Sequence, residues 1–453
     1  MLHPPSDPAS RFDLPPGERW DEIEQEPTNL LVFWPYDEAP TVVEVIASLG
    51  RAPGERVEDH EEFDDGCPDC TWCAAVRFAG RATPVMVWTQ AAVGALPPEI
   101  ASTISHQPRW VIGVESMLCV KDPLADFLRL IRMARSAAPE TPAVLDVNTA
   151  NWYPRGAMEK LARPDGIEPP VEVLWTIHAV VPDEASTDPA GPTWLHTHGL
   201  WRCGLPELEM IEVPATYQSA ACALINDVAA LMLEQAAPPQ PAQGVEIGLN
   251  LRVALVPWRE AASCVGRGVP GGMGDRRDDP ENAHIGARAV VCDAVPAGAF
   301  RKVWVWPREA LDRLREDEAA VYRTQRATER QARLAQAGWS QLAMAFAALT
   351  PKRECCQART VVFSVKVGFE AECDPGNREH LWFDVRAFDG DAAIGELMNQ
   401  PFRIKGLERG ATLRLQRERV SDWIVFTPSG TFGPDDVEGL WHTVDALRRE
   451  RTV

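Results

Sequence analysis

Apolar residues recur along this chain at two periods, near two and near three and a half, and the switches between them predict most of its elements. Leu30-Leu-Val-Phe-Trp34 is a short apolar run of strand length, and Pro40 to Gly50 follows as a helix closed by glycine. Strand patterns continue at 74–79, 84–89, 110–115, 142–147, 171–181, 193–198, 207–213 and 249–256. Asp122-Pro123 supplies an N-cap and a first-turn proline for a helix carrying Leu124, Phe127, Leu128 and Ile131. Pro214 opens another, through Leu224, Ile225, Val228, Leu231 and Met232 toward a proline-rich break at 238–241.

Pro307 starts a helical stretch to about 349 that is charged nearly all round at first. It then becomes apolar along Trp339, Leu342, Phe346 and Leu349, with Gly338 as the break. From Thr360 the period is two again, Val361, Phe363, Val365 and Val367 alternating with Ser364 and Lys366. Asp435 and Asp436 head a closing helix that bears Val437, Leu440, Trp441, Val444 and Leu447.

Strands and helices mixed without a regular βαβ alternation predict an α+β fold. The expected divisions are an acidic, proline-rich arm (1–26), an N-terminal α+β domain (27–258), a loop and strand extension (259–306), a helical connector (307–350) and a C-terminal domain (351–453). This last domain is expected to be a small, strongly bent sheet or barrel-like unit with a closing helix. A chain of 453 residues exceeds the size at which one core stops growing, which agrees with several domains.

Charge narrows the partners. The net charge is −21, and residues 1–65 hold 17 acidic residues against 4 arginines. No basic stripe is present to replace counterions on phosphates, so nucleic acid is excluded as a partner. No apolar run approaches the roughly 20 residues that cross a bilayer, and the N-terminus lacks a secretory pattern. A cytoplasmic location and no membrane partner are therefore expected. The odd count of 11 cysteines points to reduced thiols rather than a disulfide framework.

The densest candidate chemistry is Trp194-Leu-His-Thr-His-Gly-Leu-Trp-Arg-Cys-Gly-Leu-Pro-Glu-Leu-Glu209. Residues two apart on a strand share a face, so His196 and His198 point one way and Glu207 and Glu209 another common way. If Gly199 to Pro206 close a hairpin, the pairs converge as imidazole and carboxylate ligands of a metal. His178, on a neighbouring predicted strand, would add a ligand if it faces the same side. The competing expectation is a hairpin whose polar groups satisfy one another. Cys67, Cys70 and Cys73, spaced by three, with His60 upstream, form a second candidate set, for zinc. Unligated thiols are the bland alternative. Gly266 to Gly274 contains the G-x-G-x-x-G spacing, but Asp275 to Asp279 follow where a helix is required, so a flexible loop is expected instead of a nucleotide site. Asp146 is expected to cap a turn rather than to catalyse, and no nucleophile elbow is present.

The C-terminal part, about 320–445, resembles the YegJ-like family of uncharacterised bacterial domains. The resemblance rests on Phe363-Ser-Val-Lys-Val367, Glu379-His-Leu-Trp-Phe-Asp-Val385, Gly395-Glu-Leu-Met-Asn-Gln-Pro401, Ile404-Lys-Gly-Leu407, Gly410 and Val420-Ser-Asp-Trp423. The part from about 27 to 258 is similar to a second uncharacterised bacterial family, through Thr197 to Leu200 followed by Glu207 to Glu209. Both resemblances imply a bacterial, cytosolic setting and carry no activity. Within the C-terminal part, Trp382, Phe383, Asn399 and Trp423 would line a recognition groove unless the tryptophans are core.

These observations favour a non-enzymatic protein that binds a protein partner or small ligand, an immunity or defence role being one setting for such a chain. No cofactor is expected, zinc being the exception that the cysteines and histidines allow. The alternative is a metal-dependent hydrolase built on His196, His198, Glu207 and Glu209.

Overall fold

The computed structural model describes residues 20, 23–63, 69–94, 96–102, 104, 107–162, 166–181, 191–248, 251–266, 268–274, 276, 286–298, 302–316, 322–350, 361–371 and 374–450. The chain is a mixed α+β protein that divides into two compact units, 1–324 and 325–453.

The first unit holds two sheets. One contains β1 (Thr28–Trp34), β2 (Val57–Phe63), β3 (Cys70–Phe78), β4 (Val85–Ala91), β5 (Trp110–Ser116), β6 (Ala143–Asp146) and β7 (Asn151–Pro154). Their order is β2-β3-β4-β5-β1-β6-β7, and every pairing is antiparallel. The helix Pro123–Ala137 packs on this sheet and buries Leu124, Phe127, Leu128 and Ile131. Asp122 caps it by accepting from the Ala125 N–H at 3.3 Å, as the sequence predicts.

The other sheet contains β8 (Thr176–Val180), β9 (Thr193–His198), β10 (Glu207–Val213), β11 (Gly244–Gly248), β12 (Leu251–Pro257), β13 (Arg288–Pro296) and β14 (Lys302–Val305). The order is β11-β12-β13-β10-β9-β8, with β14 paired to β13. Only β10 and β13 run parallel. Alternation separates its two faces. Leu195, Leu208 and Met210 join the main core beside the helix Gln218–Gln235, whereas Trp194, Ile211, Val256, Trp258, Val290 and Trp304 form a smaller core on the opposite face.

The second unit is built on β15 (Val362–Ala371), β16 (Asp374–Asp389), β17 (Ala392–Leu397), β18 (Thr412–Gln416), β19 (Val420–Thr427) and β20 (Gly430–Phe432). These form one antiparallel sheet in the order β18-β17-β16-β15-β19-β20. The sheet ends at β18 and β20 without closing, so the unit is not a barrel. The helix Trp339–Leu349 and the closing helix Val437–Glu450 supply Trp339, Leu342, Leu440 and Val444 to the core behind it.

Several boundaries differ from the pattern. β13, expected within an extension, lies inside the second sheet between β12 and β10 and is buried over most of its length. The connector is divided: Arg308–Arg315 buries Leu311 in the first unit's core, while Gln325–Ala337 and Trp339–Leu349 belong to the second unit. The run 171–181 is a 3-10 turn, Val171–Leu174, followed by the short β8. The arm is not wholly detached either. Trp20 packs on the core and donates to the Pro239 carbonyl at 2.8 Å, and Gln25 donates to the carbonyls of Leu118 and Arg202, each at 2.8 Å. Among the described residues, no helix is long and apolar enough to cross a membrane.

Candidate functional site

The site starts from the register of three strands. β9 and β10 form the expected hairpin, with Glu209 directly opposite His196. On its other side β9 pairs with β8, setting His178 opposite His196 and Thr176 opposite His198. Directly paired residues share a face, and so do residues two apart. His178, His196 and His198 therefore project from one face, the face that also carries Trp194.

The rings meet there. One ligand nitrogen from each of the three histidines lies within 4.8 Å of the others. The Nε2 atoms of His196 and His198 are 3.0 Å apart, and the His178 ring centroid is 4.5 Å from that of His198 and 5.7 Å from that of His196. His196 is buried, His198 half-buried and His178 exposed on a strand at the end of the sheet, so the cluster runs from the interior to the surface. The Trp194 ring lies 4.4 Å from the His196 ring, restricting its tilt.

The carboxylates share the hairpin but do other work. Glu207 Oε1 accepts from the Gly199 N–H at 2.8 Å and the Trp201 N–H at 3.3 Å, and Oε2 accepts from the Thr197 hydroxyl at 2.5 Å. It thereby shapes the turn. Gly199, with φ of 115°, is required there, because a Cβ would stand 2.4 Å from the Leu174 carbonyl oxygen. Glu209 is fully buried and accepts from both Arg276 Nη atoms and from Arg288 Nη1 at 3.1 Å. Arg276 sits between the rings of Trp194 (4.7 Å) and Trp258 (4.5 Å), and Arg288 lies over Trp201 at 5.1 Å. A buried carboxylate is tolerable only with such charged partners, which here commit both of its oxygens. The convergent set is thus three imidazoles, and the expected contribution of Glu207 and Glu209 as ligands is corrected.

Arg276 follows the glycine-rich loop, and this explains the loop. Arg276 Nε donates to the Gly271 carbonyl at 2.9 Å, and Gly271, with φ of 77°, lies so close to Trp194 that a Cβ would come within 2.5 Å of its ring. The glycines let backbone approach an indole rather than a pyrophosphate. Gly271 and Gly272 are buried, so this part of the loop is packed and not the flexible connection that the sequence suggests.

The remaining candidates are dispersed. Asp146 neither caps a turn nor faces a cleft: it is fully buried and receives two N–H bonds from Arg202 Nη1, at 3.0 and 2.9 Å. Cys203, in the hairpin turn, has its thiol pushed up to about 12 by burial, which makes it a poor nucleophile. Cys67 lies outside the described residues. Cys70 is disulfide-bonded, so the expectation of reduced thiols does not extend to it, and Cys73 is a buried free thiol. His60 is exposed opposite Val76 and 3.8 Å from Glu62, whereas Cys73 lies opposite Phe63, three positions away on the other face. The described residues therefore do not assemble His60, Cys70 and Cys73 around one point.

In the second unit the proposed groove does not form. Val365 lies opposite both Phe383 and Trp423, and all three are buried in the core. Trp382 faces the other side, with Lys366 Nζ 5.4 Å from its ring, and its backbone N–H donates to exposed Asn399 Oδ1 at 3.1 Å. Residues one apart on a strand cannot line one groove.

Sequence reasoning did not anticipate Arg276 and Arg288. Arg276 sits in the polar run Asp275-Arg-Arg-Asp278, where nothing distinguishes it from its neighbour; the one available signal is a glycine-rich loop leading to an arginine beside a tryptophan-rich strand.

Two family profiles match the chain. Residues 177–291 match "Protein of unknown function (DUF4026) C-terminal", and residues 332–452 match "Uncharacterized protein conserved in bacteria (DUF2314)". The first match spans all three histidines and the Glu209, Arg276 and Arg288 group, while the second covers most of the C-terminal unit. Each region is thus similar to a domain family of unknown function, the second of them described as conserved in bacteria; the YegJ-like name and the Thr-His-Gly-Leu motif are not part of that finding. No curated protein and no solved structure matches the chain.

Proposed function

We propose that this protein acts by binding rather than by hydrolysis, and that the binding element of its first unit is the histidine-bearing end of the second sheet. The observation that carries this reading is the fate of the two hairpin carboxylates. A hydrolase that enlists the hairpin carboxylates would use Glu207 or Glu209 as ligand or general base, within hydrogen-bond reach of a reacting water. Glu207 is held by two backbone N–H groups and a hydroxyl, and Glu209 by two guanidinium groups. What this end of the sheet offers to a ligand is therefore the imidazole cluster, which reaches the surface at His178 on β8.

The test is turnover. The full chain, supplied with zinc or manganese, should hydrolyse nitrophenyl esters and phosphodiesters no faster than the metal alone. Turnover that disappears on replacing His196 and His198 by alanine would overturn the reading and establish the hydrolase.

A further inference from the structure

We infer that His178, His196 and His198 form the site of one divalent first-row transition-metal ion, of which zinc is the representative. This rests on the binding reading above and names its ligand class. Zinc held by imidazoles takes Zn–N distances of about 2.0–2.1 Å, which in tetrahedral geometry separates ligand nitrogens by about 3.3 Å. The 3.0 Å between the Nε2 atoms of His196 and His198 is close to that value, and the third nitrogen is within 4.8 Å. Closing the set needs only a small movement of His178, which stands exposed on β8 and has room to turn.

The donor set selects the ion. Three imidazoles suit zinc, copper, nickel or cobalt, whereas calcium and magnesium require oxygen ligands. A three-histidine set leaves the fourth position to water or to a donor from a bound molecule. Without an ion, two Nε2 atoms at 3.0 Å must share one proton in an N–H···N bond, so each ring constrains the other's tautomer. With an ion, both Nε2 atoms present their lone pairs to the metal, and the donor ring's proton moves to its own Nδ1, so both imidazoles stay neutral. Only neutral imidazole ligates, so protons compete with the ion for these nitrogens.

The surroundings hold the interior ligand in place. The Trp194 ring packs tilted against His196, Arg276 lies over the Trp194 ring, and Glu209, opposite His196 in register, accepts from Arg276. A ligand supported in this way meets the ion with little reorganisation. A metal here ties β8 to β9 through side chains as well as through the ladder.

Calorimetric titration of the chelator-stripped full chain with zinc sulfate tests the assignment, with circular dichroism as a fold control. The expected result is one zinc per chain, at least tenfold weaker binding in His178→Ala, and loss in His198→Ala, with unchanged spectra. His60→Ala and His442→Ala should bind as the parent does. Retention of zinc in the His178→Ala/His198→Ala double variant, loss in His60→Ala alone, or no zinc in the parent overturns the site. Zinc absent with no turnover overturns the metal assignment and leaves the binding reading standing; turnover that follows zinc does the reverse.

Discussion

Replacing Glu209 with glutamine separates a structural carboxylate from a metal ligand. The substitution keeps the volume and removes one negative charge at a fully buried position. Arg276 and Arg288, themselves about as buried, then retain one amide oxygen in place of a carboxylate that accepts from both. Removing one partner of a buried ion pair costs about 3–5 kcal/mol. The indole contacts of Arg276 persist in the variant and offset none of this. Against typical stabilities of about 5–15 kcal/mol, such a loss is a large fraction of the first unit's total. Urea unfolding followed by circular dichroism should show a transition of the first unit displaced by at least about 3 kcal/mol. The second unit, which has its own core, should be unaffected. A change below about 1 kcal/mol would refute the reasoning, since that is the size of an ordinary surface substitution. Loss of bound zinc with stability unchanged would refute it differently, by making Glu209 a ligand.

Asp227, half-buried, has its carboxyl pushed up to about 6, first by burial and then by the charge of Glu172. The folded chain holds this proton more tightly than the unfolded chain, so the group's destabilisation is absent below about pH 4, grows as the pH rises through 6 and is complete above it. Asp227→Asn should therefore raise stability at pH 7.5 by about 1–2 kcal/mol and by almost nothing at pH 4, and no gain at pH 7.5 in urea unfolding would count against this. Trp423→Ala should cost about 3–5 kcal/mol, as core tryptophan truncation does, and Trp382→Ala under about 1 kcal/mol. Equal shifts in thermal unfolding would contradict the division of the two tryptophans between faces. Filter binding at moderate salt should detect no useful affinity for nucleic acid, and salt-sensitive submicromolar retention would contradict the argument from a net charge of −21.

Period-two alternation was legible wherever a strand has one apolar face, as in Val361 to Val367 or Thr193 to His198, and the helix at 123–137 announced its own cap. β2 was not legible: Val57–Phe63 reads Val-Glu-Asp-His-Glu-Glu-Phe, almost wholly exposed at the end of its sheet, where no core imposes a pattern. The place of β13 inside the second sheet was hidden for another reason. Besides the nearby β14, its neighbours β12 and β10 come from some 30 to 80 residues away in the chain, and parallel pairing with β10 leaves no hairpin signature. At the site, parity gave the common face of His196 and His198, and the turn residues gave the hairpin. Parity could not tell which of four polar groups would converge. That was decided by Arg276 and Arg288, which approach from outside the hairpin and claim Glu209, and by the turn's own N–H groups, which claim Glu207. In the second unit, adjacent aromatic residues such as Trp382 and Phe383 looked like one groove because a list of residue types carries no face; pairing with Val365 and Lys366 assigns them to opposite sides.

The most direct measurement is an anomalous-difference map at the zinc absorption edge from crystals of the full chain grown with zinc. The account predicts one peak on the second sheet of the first unit, about 2.0–2.1 Å from His196 Nε2, His198 Nε2 and a ring nitrogen of His178. A peak coordinated by Glu207 or Glu209, or a map with no peak at these histidines, would contradict it.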